Sequence, residues 1–122
     1  MADPTQIQAL LSTLNGKHGI LGCLLVTQEG AIVASSLPES LDIATLGVLS
    51  ATLFSNNDVS MQRMNRGNLV QMTLLTDQGV LHFCQTANHY LVVLTAPDQR
   101  INLEGLIRSV DEQGTELGRM FA

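Results

Sequence analysis

Apolar and polar positions along this chain fall into three runs of helical spacing and five runs of strand character. After Asp3-Pro4, a cap followed by a proline suited to a first helical position, Ile7, Leu10, Leu11 and Leu14 recur on one side until Asn15-Gly16 stops the run. Ile20 to Val26 is continuously apolar, as a strand covered on both faces should be, and Ala31 to Ser36 follows as its return. The segment from about Asp42 to Met64 has no proline and only Gly47 as an internal weak point, so it predicts the longest helix, roughly 35 Å at 1.5 Å per residue. Asn68 to Thr76 alternates, with Val70, Met72 and Leu74 on one side and Gln71 and Thr73 on the other. Val80 to Thr86 and Tyr90 to Thr95 supply two more strands, the last apolar enough to be central. A final helix opens at Asn102 and places Leu103, Ile107, Val110, Gly114, Leu117 and Phe121 on one stripe.

The connections support this order. "LLVTQEGAIVAS" and "LLTDQGVLHFC" both carry Thr-x-x-Gly between apolar runs, the pattern of a hairpin loop whose last residue takes positive φ. The predicted order α-β-β-α-β-β-β-α gives an α+β fold, a five-stranded antiparallel sheet with helices on both faces. No linker divides residues 1–122, which read as a single domain.

Composition narrows the function. The net charge is −5, from 11 acids against 6 bases, and Lys17, Arg63, Arg66, Arg100, Arg108 and Arg119 are scattered, which argues against a nucleic-acid partner. With 45% hydrophobic and only 14% charged residues, the chain must cover apolar surface, and an oligomer is the economical expectation. Cys23 and Cys84 lie in apolar strands without CxxC spacing, which fits buried thiols in a reducing compartment. No leader or membrane-spanning stretch is evident, so the expected location is the cytoplasm.

Candidate chemistry is sparse. Gly16-Lys17 fails the phosphate-loop pattern, which requires a glycine where Leu11 stands and Ser or Thr where His18 stands. His82 and Cys84 share a strand face, but a zinc site needs three or four ligands in tetrahedral reach, and a satisfied histidine beside a buried thiol is the favoured reading. Asp111, Glu112 and Glu116 lie opposite the apolar stripe of the last helix, where solvated carboxylates are expected. No catalytic residue, metal ligand or cofactor is expected.

The long helix carries the most informative surface. Ile43, Leu46, Ser50, Leu53, Phe54, Asn57, Met61 and Met64 form a broad stripe suited to packing on a sheet. Ala44, Val48, Ala51 and Ser55 form a second, about 100° away, whose small residues and 4-3-4 spacing suit a close helix contact. These four residues, with Leu69, Gln71 and Thr73 of the strand from Leu69 to Leu75, are the expected seam of a homodimer in which edge strands pair across a twofold axis.

"GILGCLLVTQEGAIVASSLPES" before a long helix, "LVQMTLLTDQGVLHFCQTANHYLVVLTAP", and Asn102-Leu103 with Gly105-Leu106 in "INLEGLIRSV" together resemble the Roadblock/dynein light chain domain family over nearly the whole chain. The resemblance implies a dimer through the long helix and the following strand, no catalytic residues, and a role as regulator or platform for a Ras-like small GTPase. Its expected contacts are Thr45, Thr52, Asn56 and Arg63, with Arg63 and Arg66 explained by the helix dipole rather than as catalytic fingers. The alternatives are a small-ligand-sensing module, for which an aromatic fraction of 3% supplies few pocket groups, and a motor adaptor like the dynein light chains.

Overall fold

The computed structural model of the chain describes residues 3–96 and 101–121. Helix α1, Pro4–Leu14, begins where the Asp3 carboxylate accepts from the Thr5 N–H at 2.9 Å, and it buries Ile7, Leu11 and Leu14. A single 3₁₀ turn leads into β1, Ile20–Thr27, and its return β2, Ile32–Ser35. Helix α2, Ile43–Arg63, starts at Asp42, whose carboxylate accepts from both the N–H and the hydroxyl of Thr45. Strands β3, Gln71–Thr76, β4, Gly79–Thr86, and β5, His89–Thr95, follow, and α3, Leu103–Phe121, ends the described chain.

The five strands form one antiparallel sheet in the order β2-β1-β5-β4-β3. The two continuously apolar runs, β1 and β5, are both interior strands, as their patterns require. Five strands spread about 19 Å across the sheet, whereas one helix covers about 10 Å. Two helices, α1 and α3, cover one face over Cys23, Leu25, Cys84, Leu91 and Val93. Among the described residues the other face has α2 alone, over Leu24, Val26, Phe83, Tyr90 and Val92, with the Phe54 ring tilted 35° to that of Tyr90 at a centroid distance of 4.6 Å. This asymmetry positions the candidate site.

Both hairpin glycines take positive φ, Gly30 at 93° and Gly79 at 138°. Gly30 is also where α2 meets the sheet. A Cβ on it would lie 2.8 Å from the Val48 Cα, and one on Gly47 would lie 2.7 Å from the Gly30 carbonyl. The two glycines let the N-terminal half of α2 touch the β1–β2 turn backbone to backbone.

Three details depart from the expected pattern. Strand β3 begins at Gln71 rather than Asn68, because the Leu69 N–H is held by the Asp58 carboxylate of α2 at 2.7 Å. In α3 the inward position belongs to Leu106, fully buried, while Leu103 is exposed. Of the broad α2 stripe, Ser50 and Phe54 are buried, but Leu53 and Met64 remain exposed.

Candidate functional site

The stripe expected to form the seam divides when the helix docks. Ala44 and Val48 stay exposed, but Ala51 is 3% exposed within the single chain, and the Ser55 hydroxyl lies 3.0 Å from the Tyr90 hydroxyl. Ala51 belongs to the chain's own core, which corrects its expected place in an outward seam, because α2 docks with Gly47, Ser50, Ala51 and Phe54 buried against the sheet. Its Gly47 side rests on the β1–β2 turn, and its Ser55 side faces the β4–β5 end of the sheet. Leu53, about 160° around the helix from Ser55 at 100° per residue, lies on the opposite flank. Partly buried Leu74, Leu81 and Leu94 line up across β3, β4 and β5 by their register, one row removed from the Met72, Phe83 and Val92 row beneath α2.

The outward line of α2 holds Thr45, Thr52, Asn56 and Arg63, all exposed as expected. The hydroxyls of Thr45 and Thr52 are engaged locally, to Asp42 and to the Val48 carbonyl. Between these polar residues stand Val48, Leu49 and Val59, 53%, 55% and 49% exposed. The face is therefore mixed rather than polar. The sequence reading missed Leu49 and Val59 because it sorted apolar residues toward the sheet.

At the sheet's edge, β3 has one open side. The Gln85 N–H donates to the Val70 carbonyl at 3.0 Å, so in an antiparallel ladder Val70, Met72, Leu74 and Thr76 turn their backbone groups toward β4. Gln71, Thr73 and Leu75 then present theirs outward, and Leu75 adds a side chain 78% exposed. Such an edge is a template for another strand.

On the sheet face that α3 covers, the side chains of Gln71 and Thr73, both expected seam residues, are engaged within the chain. The Gln71 amide donates to Asp111 at 3.1 Å, which leaves its oxygen to accept from Nε2 of His82, also 3.1 Å away. Nε2 of His82 therefore carries a proton, and in the neutral ring that burial favours Nδ1 accepts from the Thr73 hydroxyl at 2.7 Å. The ring is 1% exposed, and burial holds its pKa below the ordinary histidine value. Cys84 lies on the same face, its thiol pushed up to about 11 by burial and then by Asp111, so it is protonated at neutral pH and a poor nucleophile. Burial likewise raises Cys23 to about 12. Among the described residues no three His, Cys, Asp or Glu side chains converge as a metal site, and no helix is long and apolar enough to cross a membrane.

Comparisons with known proteins agree with this architecture. The Roadblock/LC7 domain family matches residues 6–96. The uncharacterized protein MJ1340 of Methanocaldococcus jannaschii is 31% identical over 110 residues, spanning 90% of this chain and 94% of that one. Among solved structures, Myxococcus xanthus MglB superposes with a TM-score of 0.87 at 16% identity, over 98% of this chain and 90% of its own. A structure described as MglB with tetrameric arrangement gives 0.85, also at 16% identity, over 98% and 91%.

Proposed function

The chain belongs to the Roadblock/LC7 domain family, and from that premise we propose that it acts as a non-catalytic homodimeric regulator or scaffold that binds a Ras-like small GTPase. The observation that carries the proposal is the single helix over one sheet face, with apolar Val48, Leu49 and Val59 on its outward side, beside the open edge of β3. A lone copy leaves both features in water. A second copy related by a twofold axis pairs β3 with β3 through Gln71, Thr73 and Leu75 and sets the two α2 helices side by side. In this arrangement the Leu53 flank, with the Leu74, Leu81 and Leu94 row, replaces Ala51 and Ser55 as the helical part of the seam. Leu69 lies at its margin, its N–H already held by Asp58.

The paired helices then offer one composite surface to the partner, through Thr45, Thr52, Asn56 and Arg63 with the apolar residues between them. The GTPase assignment comes from the family resemblance, and the assembly described for one MglB structure is in keeping with an oligomer. The test is affinity capture with the tagged protein from its native lysate, charged with GDP or a non-hydrolysable GTP analogue. Recovery of a Ras-like GTPase under one of these conditions is the expected result. Its absence under both, with the bait dimeric, contradicts the assignment.

A further inference from the structure

Carboxylates are nearly absent from one stretch of this acidic chain. Between Ile43 and Thr76, the whole of α2, its connection to the sheet and β3, Asp58 is the only acidic residue, although the chain carries 11. That carboxylate is engaged with the Leu69 N–H at 2.7 Å and half-buried. The same stretch carries Arg63, the last residue of α2, and Arg66 just beyond it, both exposed and in no ion pair among the described residues. Arg108 and Arg119, by contrast, are paired with Glu104 and Glu116, and Arg100 lies outside the described residues. Within four residues of one or the other arginine along the chain stand Val59, Met64 and Val70, all exposed. The nearest acids before the helix, Glu39 and Asp42, sit at its other end, roughly 30 Å away along a 21-residue helix.

We propose that the outward face of α2 and the α2–β3 connection dock a protein partner whose contact surface sets carboxylates beside an apolar patch. The carboxylates meet Arg63 and Arg66, and the apolar patch meets Val59, Met64 and Val70. A chain of net charge −5 repels an acidic partner at long range. A stretch with one engaged carboxylate and two guanidiniums in no ion pair among the described residues reverses that sign locally and orients the encounter. Arginine also binds carboxylates through two parallel N–H donors, which fixes geometry as well as charge. The inference rests on reading this face as a partner surface, but not on the partner's being a GTPase.

Three synthetic amphipathic helices, identical except for Glu, Gln or Lys at their polar positions, test it by titration into the labelled full chain with amide NMR readout. The Glu peptide is expected to bind at least ~10-fold more tightly than the Gln peptide and to shift the signals of Val59, Arg63, Arg66 and Val70, an advantage that shrinks with salt. The double variant Arg63→Glu, Arg66→Glu should lose that preference while keeping its dispersed spectrum and the wild-type mass by light scattering. Equal binding of the Glu and Gln peptides, or shifts confined to other elements, would overturn the proposal. So would a double variant of altered mass, which would place the arginines in the seam, or arginine-dependent cosedimentation with phosphatidylserine vesicles in place of peptide binding. A GTPase that binds the double variant undiminished removes this inference and leaves the function proposed above intact. Selective peptide binding without GTPase capture does the reverse.

Discussion

At the residue scale, the clearest lesson is Gly47. In the sequence it is a weak point of a helix, where alanine would be worth about 1 kcal/mol more. In the fold its missing side chain admits the Gly30 carbonyl and the tip of Ile32, which a Cβ would approach to 2.7 and 2.6 Å. Gly47→Ala is therefore expected to destabilise by about 1–3 kcal/mol in urea unfolding, against the helix-propensity trend. A more stable variant would mean that α2 does not rest on the β1–β2 turn. His82 couples the stability of the fold to pH. Burial lowers its pKa in the folded chain, so the unfolded chain binds the proton more tightly and stability falls as pH drops below the ordinary value of 6.5 toward the folded one. His89 shifts in the same direction for the same reason and adds to the slope. Urea midpoints taken between pH 7.5 and 5.5 should decline, and His82→Gln should flatten part of that decline. An unchanged slope in the variant would show that His82 is not the titrating group.

At the element scale, much of the fold was legible because each element repeats one physical pattern. The Ile20–Val26 and Tyr90–Thr95 runs marked interior strands, Thr-x-x-Gly marked the hairpins, and Asp3, Asp42 and Asn102 marked helix starts. The start of β3 was hidden because the Leu69 N–H is claimed by Asp58, 11 residues earlier, a contact that periodicity does not reveal. The direction of the small α2 stripe was hidden for a similar reason. Spacing shows which residues share a side of a helix, but Gly30, Gly47 and Tyr90 decide how that side sits on the sheet. The His82 network joins β3, β4 and α3, and only the adjacency of His82 and Cys84 on one strand face hinted at it. It follows that Ala51→Arg tests the core. An arginine there has no room and no buried partner, so the variant is expected to lose its cooperative unfolding transition by circular dichroism. Leu53→Arg, on the exposed flank, should keep it. A folded Ala51→Arg chain would put Ala51 back at the surface.

At the scale of the whole molecule, the sheet is covered by two helices on one face and one on the other, and its β3 edge is open. In the proposed dimer a second copy completes both, and the partner surface exists because of that pairing. Leu75 offers the cleanest way to break it. Its N–H points away from β4 and its side chain is exposed, so proline removes no ladder bond within the chain yet denies one to the mate. The deciding measurement is the mass of the wild type and of Leu75→Pro by multi-angle light scattering at tens of micromolar. The prediction is twice the 13.1 kDa of one chain for the wild type and a single-chain mass for a Leu75→Pro protein with unchanged circular dichroism. A monomeric wild type, or a Leu75→Pro variant that stays dimeric, would contradict pairing through β3.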